Sequence, residues 1–274
     1  LVLSLRGDAD RIKRNRSCDS ETHKTHWGIL QNLDKLIFGR NTITGSIFRR
    51  VPVTSIIIAC TGGIMDLKDY RRQYTRGGLS RETMPDDPLV LFAQWQHDAS
   101  EAGLADPTGC VVATLQPDGS LRQRFVLLKG VDADGFVFYT NYQSDKAAAL
   151  AHYQRASMLF PWNELDRQVS LSGVVERVSE EVSDTYFASR PRASQIAAWT
   201  SQQSQSVESR KALESQYTQT VARFEAGDVP RPPHWGGFRL IPERMEFWQG
   251  GADRLHDRFV YQLEGGWRLR RLQP

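Results

Sequence analysis

Cys110-Val111-Val112-Ala113-Thr114-Leu115 runs into Gln116-Pro117-Asp118-Gly119; the chain continues as Arg124-Phe125-Val126-Leu127-Leu128-Lys129, and Asp132-Ala133-Asp134-Gly135 then precedes Phe136-Val137-Phe138-Tyr139-Thr140. Three short runs rich in β-branched and aromatic residues are thus separated by two turns that end in Asp-Gly or Ala-Asp-Gly. That pattern reads as antiparallel hairpins, because Asp and Gly tolerate the backbone angles that a tight reversal needs. Reading outward in both directions supports the same architecture. Upstream, Leu89, Leu91, Phe92 and Trp95 follow helical spacing over 88–102. Downstream, a short helix over 144–152 is followed by strands over 156–162 and 168–178 around the turn Asn163-Glu164-Leu165-Asp166.

Ser179 suits a helix N-cap, with Glu180 and Glu181 in the favourable first turn. A longer helix is predicted over 206–226, ending at Gly227, and Pro230-Arg231-Pro232-Pro233 forms a stiff linker. Four more strands are predicted over 237–241, 244–248, 258–263 and 267–272. Strands at this spacing, without regular β-α alternation, predict a mainly β fold: a closed antiparallel barrel with helices packed outside it.

The chain has 274 residues and a formal net charge of +3. The charge is unevenly placed. Residues 1–64 hold ten Lys/Arg against five Asp/Glu, and the remaining residues hold 25 against 27. The basic balance belongs to the N-terminal segment, which argues against nucleic-acid binding by the folded part. Met65 reads as a natural start, with 1–64 as a poorly ordered upstream extension or unprocessed leader and 65–274 as the functional domain. The five acidic residues count against a transit peptide. Cys18, Cys60 and Cys110 are too few and too scattered for a disulfide framework or a metal cluster, so no metal is expected and a reducing cytoplasm is the natural setting. The longest apolar stretch, over 53–64, is too short to span a bilayer.

Charged residues in apolar surroundings carry the chemistry. Arg124 and Lys129 bracket an otherwise apolar strand, Lys146 opens a helix, and Arg190 and Arg192 flank Pro191. Buried or strand-end cations are unfavourable unless an anion meets them, so several together suggest phosphate groups. No glycine-rich phosphate loop lies between a strand and a helix, which leaves side chains and backbone amides to hold the anion. Taken singly, Arg-Pro-Arg reads first as a solvated turn and Trp248 as core, while Arg254-Leu255-His256-Asp257-Arg258 reads equally as a salt-bridged surface strand. If 254–258 is extended, alternation puts Arg254, His256 and Arg258 on one side.

Several motifs occur together and in order. They are Arg71-Arg72-Gln73-Tyr74, Asp86-Asp87-Pro88, 124–129, Phe138-Tyr139-Thr140-Asn141, Arg167-Gln168-Val169, Ser189-Arg190-Pro191-Arg192-Ala193-Ser194-Gln195-Ile196, Gln203-Ser204, His234-Trp235-Gly236-Gly237 and Glu246-Phe247-Trp248-Gln249-Gly250 through Arg258. Over 65–274 this ordered set resembles the pyridoxamine 5′-phosphate oxidases. The resemblance implies an FMN-binding split β-barrel and a homodimer with FMN at the subunit interface. It further implies oxidation of pyridoxamine 5′-phosphate or pyridoxine 5′-phosphate by oxygen, giving pyridoxal 5′-phosphate and hydrogen peroxide. On this resemblance FMN would be held by 124–129 (Arg124, Phe125, Val126, Leu127, Leu128, Lys129), Tyr139, Thr140, Lys146, Gln168, Gln203, Ser204, Trp248 and Arg258. Lys129, Tyr186, Arg190 and Ser194 would hold the substrate phosphate. Arg254, Leu255 and His256 would lie against the substrate, with Arg254 and His256 catalytic, and Arg71 and Tyr74 would close as a lid. Family members usually have Ser-Arg-Lys where this chain has Ser144-Asp145-Lys146. Asp145 is then expected either to weaken FMN binding or to point away from it. The alternative function is a related FMN-binding split-barrel protein with a different role.

Overall fold

The structure is a computed structural model and describes Leu67, residues 72–75 and residues 78–274. The expectations for residues 1–64 and for Arg71 lie outside the described residues. Helix α1 (Pro88–Glu101) begins where the sequence predicts. Asp87 caps it by accepting a hydrogen bond from Leu89 N at 2.9 Å, and Pro88 occupies the first turn, where its missing N–H loses nothing. Its buried face carries Leu91, Phe92, Trp95 and Ala99. Phe92 meets the rings of Phe136 and Phe160 edge-on, and Trp95 does the same to Phe247, which anchors the helix on the barrel core.

The barrel is one nine-stranded antiparallel sheet. Its strands are β1 (Gly109–Leu115), β2 (Leu121–Leu127), β3 (Gly130–Asp132), β4 (Gly135–Asn141), β5 (Arg155–Trp162), β6 (Arg167–Arg177), β7 (Trp235–Gln249), β8 (Asp257–Leu263) and β9 (Trp267–Leu272). They run in the order β2-β1-β5-β6-β7-β4-β3, and β8 and β9 branch from β7. The two ends of this order, β2 and β3, are consecutive in the chain. At the corner between them Leu128 N donates to Thr108 O beside β1, and Lys129 N donates to Val137 O on β4. The sheet therefore curls until its ends meet at one short segment. The predicted strand over 124–129 is corrected accordingly: pairing to β1 stops at Leu127, because Leu128 turns inward to a buried position.

The strands predicted separately over 237–241 and 244–248 are one strand. β6 pairs with β7 along its whole length, with a bulge at Ser172/Gly173 opposite Pro242. Pro242 has no N–H to contribute, and it sits where β7 leaves β4 and takes β8 as its other neighbour. A proline that reads as a break thus marks a change of partner. Among the described residues, four helices flank the sheet beyond α1: α2 (Asp145–Tyr153), α3 (Glu180–Ser189), α4 (Arg192–Thr200) and α5 (Arg210–Arg223). Ser179 caps α3 as predicted, accepting from Val182 N. The last helix is shorter than the predicted 206–226, because Ser209 rather than Ser206 caps it, accepting from Ala212 N at 3.0 Å. Among the described residues no helix is long and apolar enough to cross a membrane.

Candidate active site

A cleft of about 680 Å³ opens between the β2–β3 corner, β4 and helices α2 to α4. Arg124, Lys129, Lys146 and Arg190 all line it. Among the described residues none of the four has a carboxylate partner in an ion pair. Strand β1 orients Arg124, whose Nη1 donates to Thr114 Oγ1 at 2.8 Å and to Val112 O at 3.1 Å. Lys146 is buried, and its Nζ donates to Gln203 Oε1 at 2.6 Å, Thr140 Oγ1 at 2.9 Å and Ser144 Oγ at 3.3 Å. All three partners are neutral. Burial, reinforced by the nearby Arg124 charge and only partly opposed by Asp145, brings the Lys146 ammonium down to about 8. Burial likewise lowers the Arg190 guanidinium, and its Nη1 is buried with no hydrogen-bond partner. Such an atom is unfavourable to leave unmet, so Arg190 and Lys146 together describe a cradle shaped for anionic oxygens.

One wall of the cleft is aromatic. Tyr139 stacks on Tyr186 with ring centres 4.0 Å apart and on Trp235 at 5.4 Å. Arg190 lies 4.6 Å over the Trp235 ring, so the wall also fixes a cation. Burial raises both tyrosine hydroxyls above their ordinary value, and they remain neutral donors. Of the expected site residues, Arg124, Phe125, Val126, Leu127, Lys129, Tyr139, Thr140, Lys146, Tyr186, Arg190, Ser194 and Gln203 line this cleft. Trp235 lines it too and had no expected role. Its signal in the sequence is an aromatic at the start of a strand, just behind the stiff Pro232-Pro233 pair. Leu128 does not line the cleft; its side chain lies in the core. Ser204 sits beside it, with its Oγ accepting from Asp145 N at 3.2 Å.

Asp145 does not face the cations unopposed. Its carboxylate forms an ion pair with Arg122 on β2, and both side chains are about half exposed. The charge expected to repel an anion is therefore met by a guanidinium from a strand 23 positions away in sequence.

The remaining expected residues form a second group that shares no lining with the cleft. Trp248 is the next-to-last residue of β7, and in the β-ladder it pairs with Gln168 on one side and Arg258 on the other. His256 packs on Trp248 with ring centres 4.7 Å apart, and Tyr74 meets both rings edge-on at 5.5 and 5.3 Å. Gly251 N donates to His256 Nδ1 at 3.2 Å, which places the ring proton of the neutral imidazole on Nε2. Arg258 Nε donates to Glu246 Oε1 at 2.8 Å and its Nη1 to Gln273 O at 3.0 Å. Glu246 also binds Arg244, and these two arginines hold its carboxyl below the usual range despite burial.

The run 254–258 is not an extended strand, which corrects the alternation argument. Ala252–Arg254 forms a 3-10 turn, Asp253 and Arg254 have φ of 53° and 63°, and β8 starts only at Asp257. Gly251 makes room for this turn, since a Cβ there would lie 2.3 Å from Leu255 O. Arg254 and Leu255 are exposed on this turn, at the edge of a small cleft shared by Arg254, Arg72 and Tyr74.

Residues 96–223 match the family model described as pyridoxamine 5′-phosphate oxidase. Residues 235–274 match the one described as the pyridoxine 5′-phosphate oxidase C-terminal dimerisation region. The chain is 51% identical over 214 residues to the pyridoxine/pyridoxamine 5′-phosphate oxidase of Rubrobacter xylanophilus, covering 78% of this chain and 99% of that protein. It is 53% identical over 211 residues to the enzyme of the same name from Aeromonas hydrophila, covering 77% and 100%. Among solved structures, PhzG from Burkholderia lata, in complex with tetrahydrophenazine-1-carboxylic acid, superimposes with a TM-score of 0.67 at 31% identity, covering 70% of this chain and 95% of that one. A pyridoxamine 5′-phosphate oxidase-related, FMN-binding protein from Nostoc punctiforme shares the fold, with a TM-score of 0.56 at 16% identity over 68% of this chain and 96% of that one.

Proposed function

Because the chain belongs to the pyridoxamine 5′-phosphate oxidase family, we propose that its cleft binds FMN and that it oxidises pyridoxamine 5′-phosphate and pyridoxine 5′-phosphate to pyridoxal 5′-phosphate. The observation that carries the reading is the set of cations lacking carboxylates, above all the buried Lys146 and the unmet Nη1 of Arg190. Two phosphate groups, one from the cofactor and one from the substrate, answer that unmet charge. Arg124 and Lys146 would hold the FMN phosphate, with Thr140 and Gln203 keeping the Lys146 ammonium in place. Lys129, Tyr186, Arg190 and Ser194 would hold the substrate phosphate. Bound FMN supplies two-electron oxidation, with oxygen as the final acceptor and hydrogen peroxide as product.

The protein's own contribution is position and charge. Phosphate binding at one end aligns the far end of the substrate for reaction, which converts remote binding energy into rate. Arg254 and His256 would orient the substrate ring, and His256 offers its Nε2–H while Gly251 N holds Nδ1. These two residues stand apart from the cleft within one chain, and the C-terminal segment matches a dimerisation region. The reading therefore places each complete site at the interface of a homodimer, with Trp248, Arg254, His256 and Arg258 supplied by the partner.

Two measurements on purified full-length protein test this. It should carry a flavin absorption band and consume oxygen when given pyridoxamine 5′-phosphate. A protein that stays colourless after reconstitution with FMN would sink the proposal, and flavin binding without oxygen uptake would favour a related flavoprotein with another substrate.

A further inference from the structure

Asp166 closes the turn between β5 and β6, and it is buried with a left-handed φ of 54°. Its backbone carbonyl accepts from Gly250 N at 2.7 Å and from the Gln249 side chain at 3.1 Å, so it fixes the point where the chain leaves β7 toward His256. Its carboxylate meets a different partner, Arg72. Oδ1 lies 2.6 Å from Arg72 Nη2, and it has no partner aligned as a hydrogen-bond donor. Arg72 Nη1 also donates to Asn163 O at 2.7 Å, in the same turn. A buried carboxylate held by one half-exposed guanidinium depends heavily on that partner.

Two residues beyond Arg72, Tyr74 rests edge-on against Trp248 and His256, and the Arg72 guanidinium lies 5.8 Å from the Tyr74 ring centre. The fit is close: a Cβ on Gly250 would come within 2.6 Å of the Tyr74 ring. One residue thus ties together the segment carrying Tyr74 and the strand end carrying the His256 turn. We propose that Asp166 and Arg72 form a latch that positions Tyr74 over His256, making Asp166 a positioning residue for substrate binding. Its consequence for turnover rests on the oxidase reading above, whereas the latch itself does not.

The latch weakens substrate release by holding the segment closed, so it acts on binding more than on the chemical step. Asp166→Asn keeps a residue type that tolerates the left-handed backbone and removes only the charge. In the FMN-loaded, full-length enzyme it should raise KM for pyridoxamine 5′-phosphate about tenfold, as the loss of a coupling of ordinary size does. Flavin content should be unchanged and kcat should stay within about twofold. Arg72→Gln should do the same from the exposed side of the pair, and the double variant should be no worse than either single one. Asp166→Glu should restore part of the loss. A readout independent of activity is tryptic cleavage after Arg72, identified by peptide mass. The ion pair shields that guanidinium, so Asp166→Asn should speed cleavage there about tenfold, with cleavage outside this N-terminal segment unchanged. Additive effects in the double variant, or unchanged cleavage after Arg72, would overturn the latch. If the wild type shows no oxygen uptake, the oxidase reading fails and the cleavage comparison still decides the latch.

Discussion

Lys146 is a buried ammonium among neutral partners, and its proton is the cleft's most sensitive charge. Unfolded, a lysine titrates near its ordinary 10.5, whereas in the folded chain burial and Arg124 bring Lys146 down to about 8. Between those values the unfolded chain holds the extra proton. Stability of the protein without FMN should therefore rise with pH from about 8 toward 10.5, and below 8 this group should contribute no slope. An anion reverses the preference, because a phosphate beside Nζ favours the charged form. FMN affinity should accordingly fall as pH climbs past about 8, by up to tenfold per unit, while Lys146→Met should bind more weakly at pH 7 and lose that slope. Titrating apoprotein with FMN by flavin fluorescence quenching from pH 7 to 9.5 measures this. Parallel curves for the two proteins would remove Lys146 from the phosphate site. The neighbouring Asp145 shows what a sequence withholds at this scale. Its position next to Lys146 is plain in the chain, but its pairing with Arg122 depends on how β2 packs beside α2.

At the scale of elements, the Asp118-Gly119 turn made the β1–β2 hairpin legible, because the residues that permit a reversal are local, whereas the Asp134-Gly135 turn joins β4 to the short, unexpected β3 and not to the 124–129 run, which pairs with β1 alone. The longest strand was not legible. Pro242 interrupts its pattern, and only the uninterrupted partner β6 shows that β7 continues through it. Continuity there requires the bulge at Gly173, where an added Cβ would sit 1.9 Å from Ile241 O. A backbone carbonyl cannot swing aside as a side chain can. Gly173→Ala should therefore destabilise the protein by about 1–3 kcal/mol, read as a lower urea midpoint with unchanged slope. The strain lies midway along β7, between the stretch bonded to β4 and the stretch that carries Trp248 beside β8. Flavin retention should consequently weaken alongside stability. A midpoint equal to the wild type would mean that β7 is not held to this register. The turn after Gly251 was misread for the related reason that alternation assumes extension. Left-handed Asp253 and Arg254 instead swing Arg254 out onto an exposed corner.

For the whole molecule, the decisive fact is that the expected site divides in two. Lys146 and Arg190 line the cleft, whereas His256, Trp248 and Tyr74 cluster at the far end of β7. An ordered list of motifs carries no information on this separation, since either arrangement has the same sequence. The cleft edge also exposes apolar side chains on β2, with Phe125 at 57% and Leu127 at 37% of their free surface, which a second copy would cover. A two-fold dimer puts the same surfaces on both subunits, so each cleft would meet the other chain's His256. This arrangement makes a quantitative prediction. Arg190→Ala and His256→Ala should each be nearly inactive as homodimers. When the two are unfolded together, refolded as an equal mixture and reloaded with FMN, half of the dimers should be hybrids. In every hybrid one site carries both substitutions and the other carries neither. Oxygen uptake should therefore recover to roughly a quarter of the wild-type rate. If one chain supplied both halves of its own site, every site would keep one substitution and the mixture would stay as inactive as its parents.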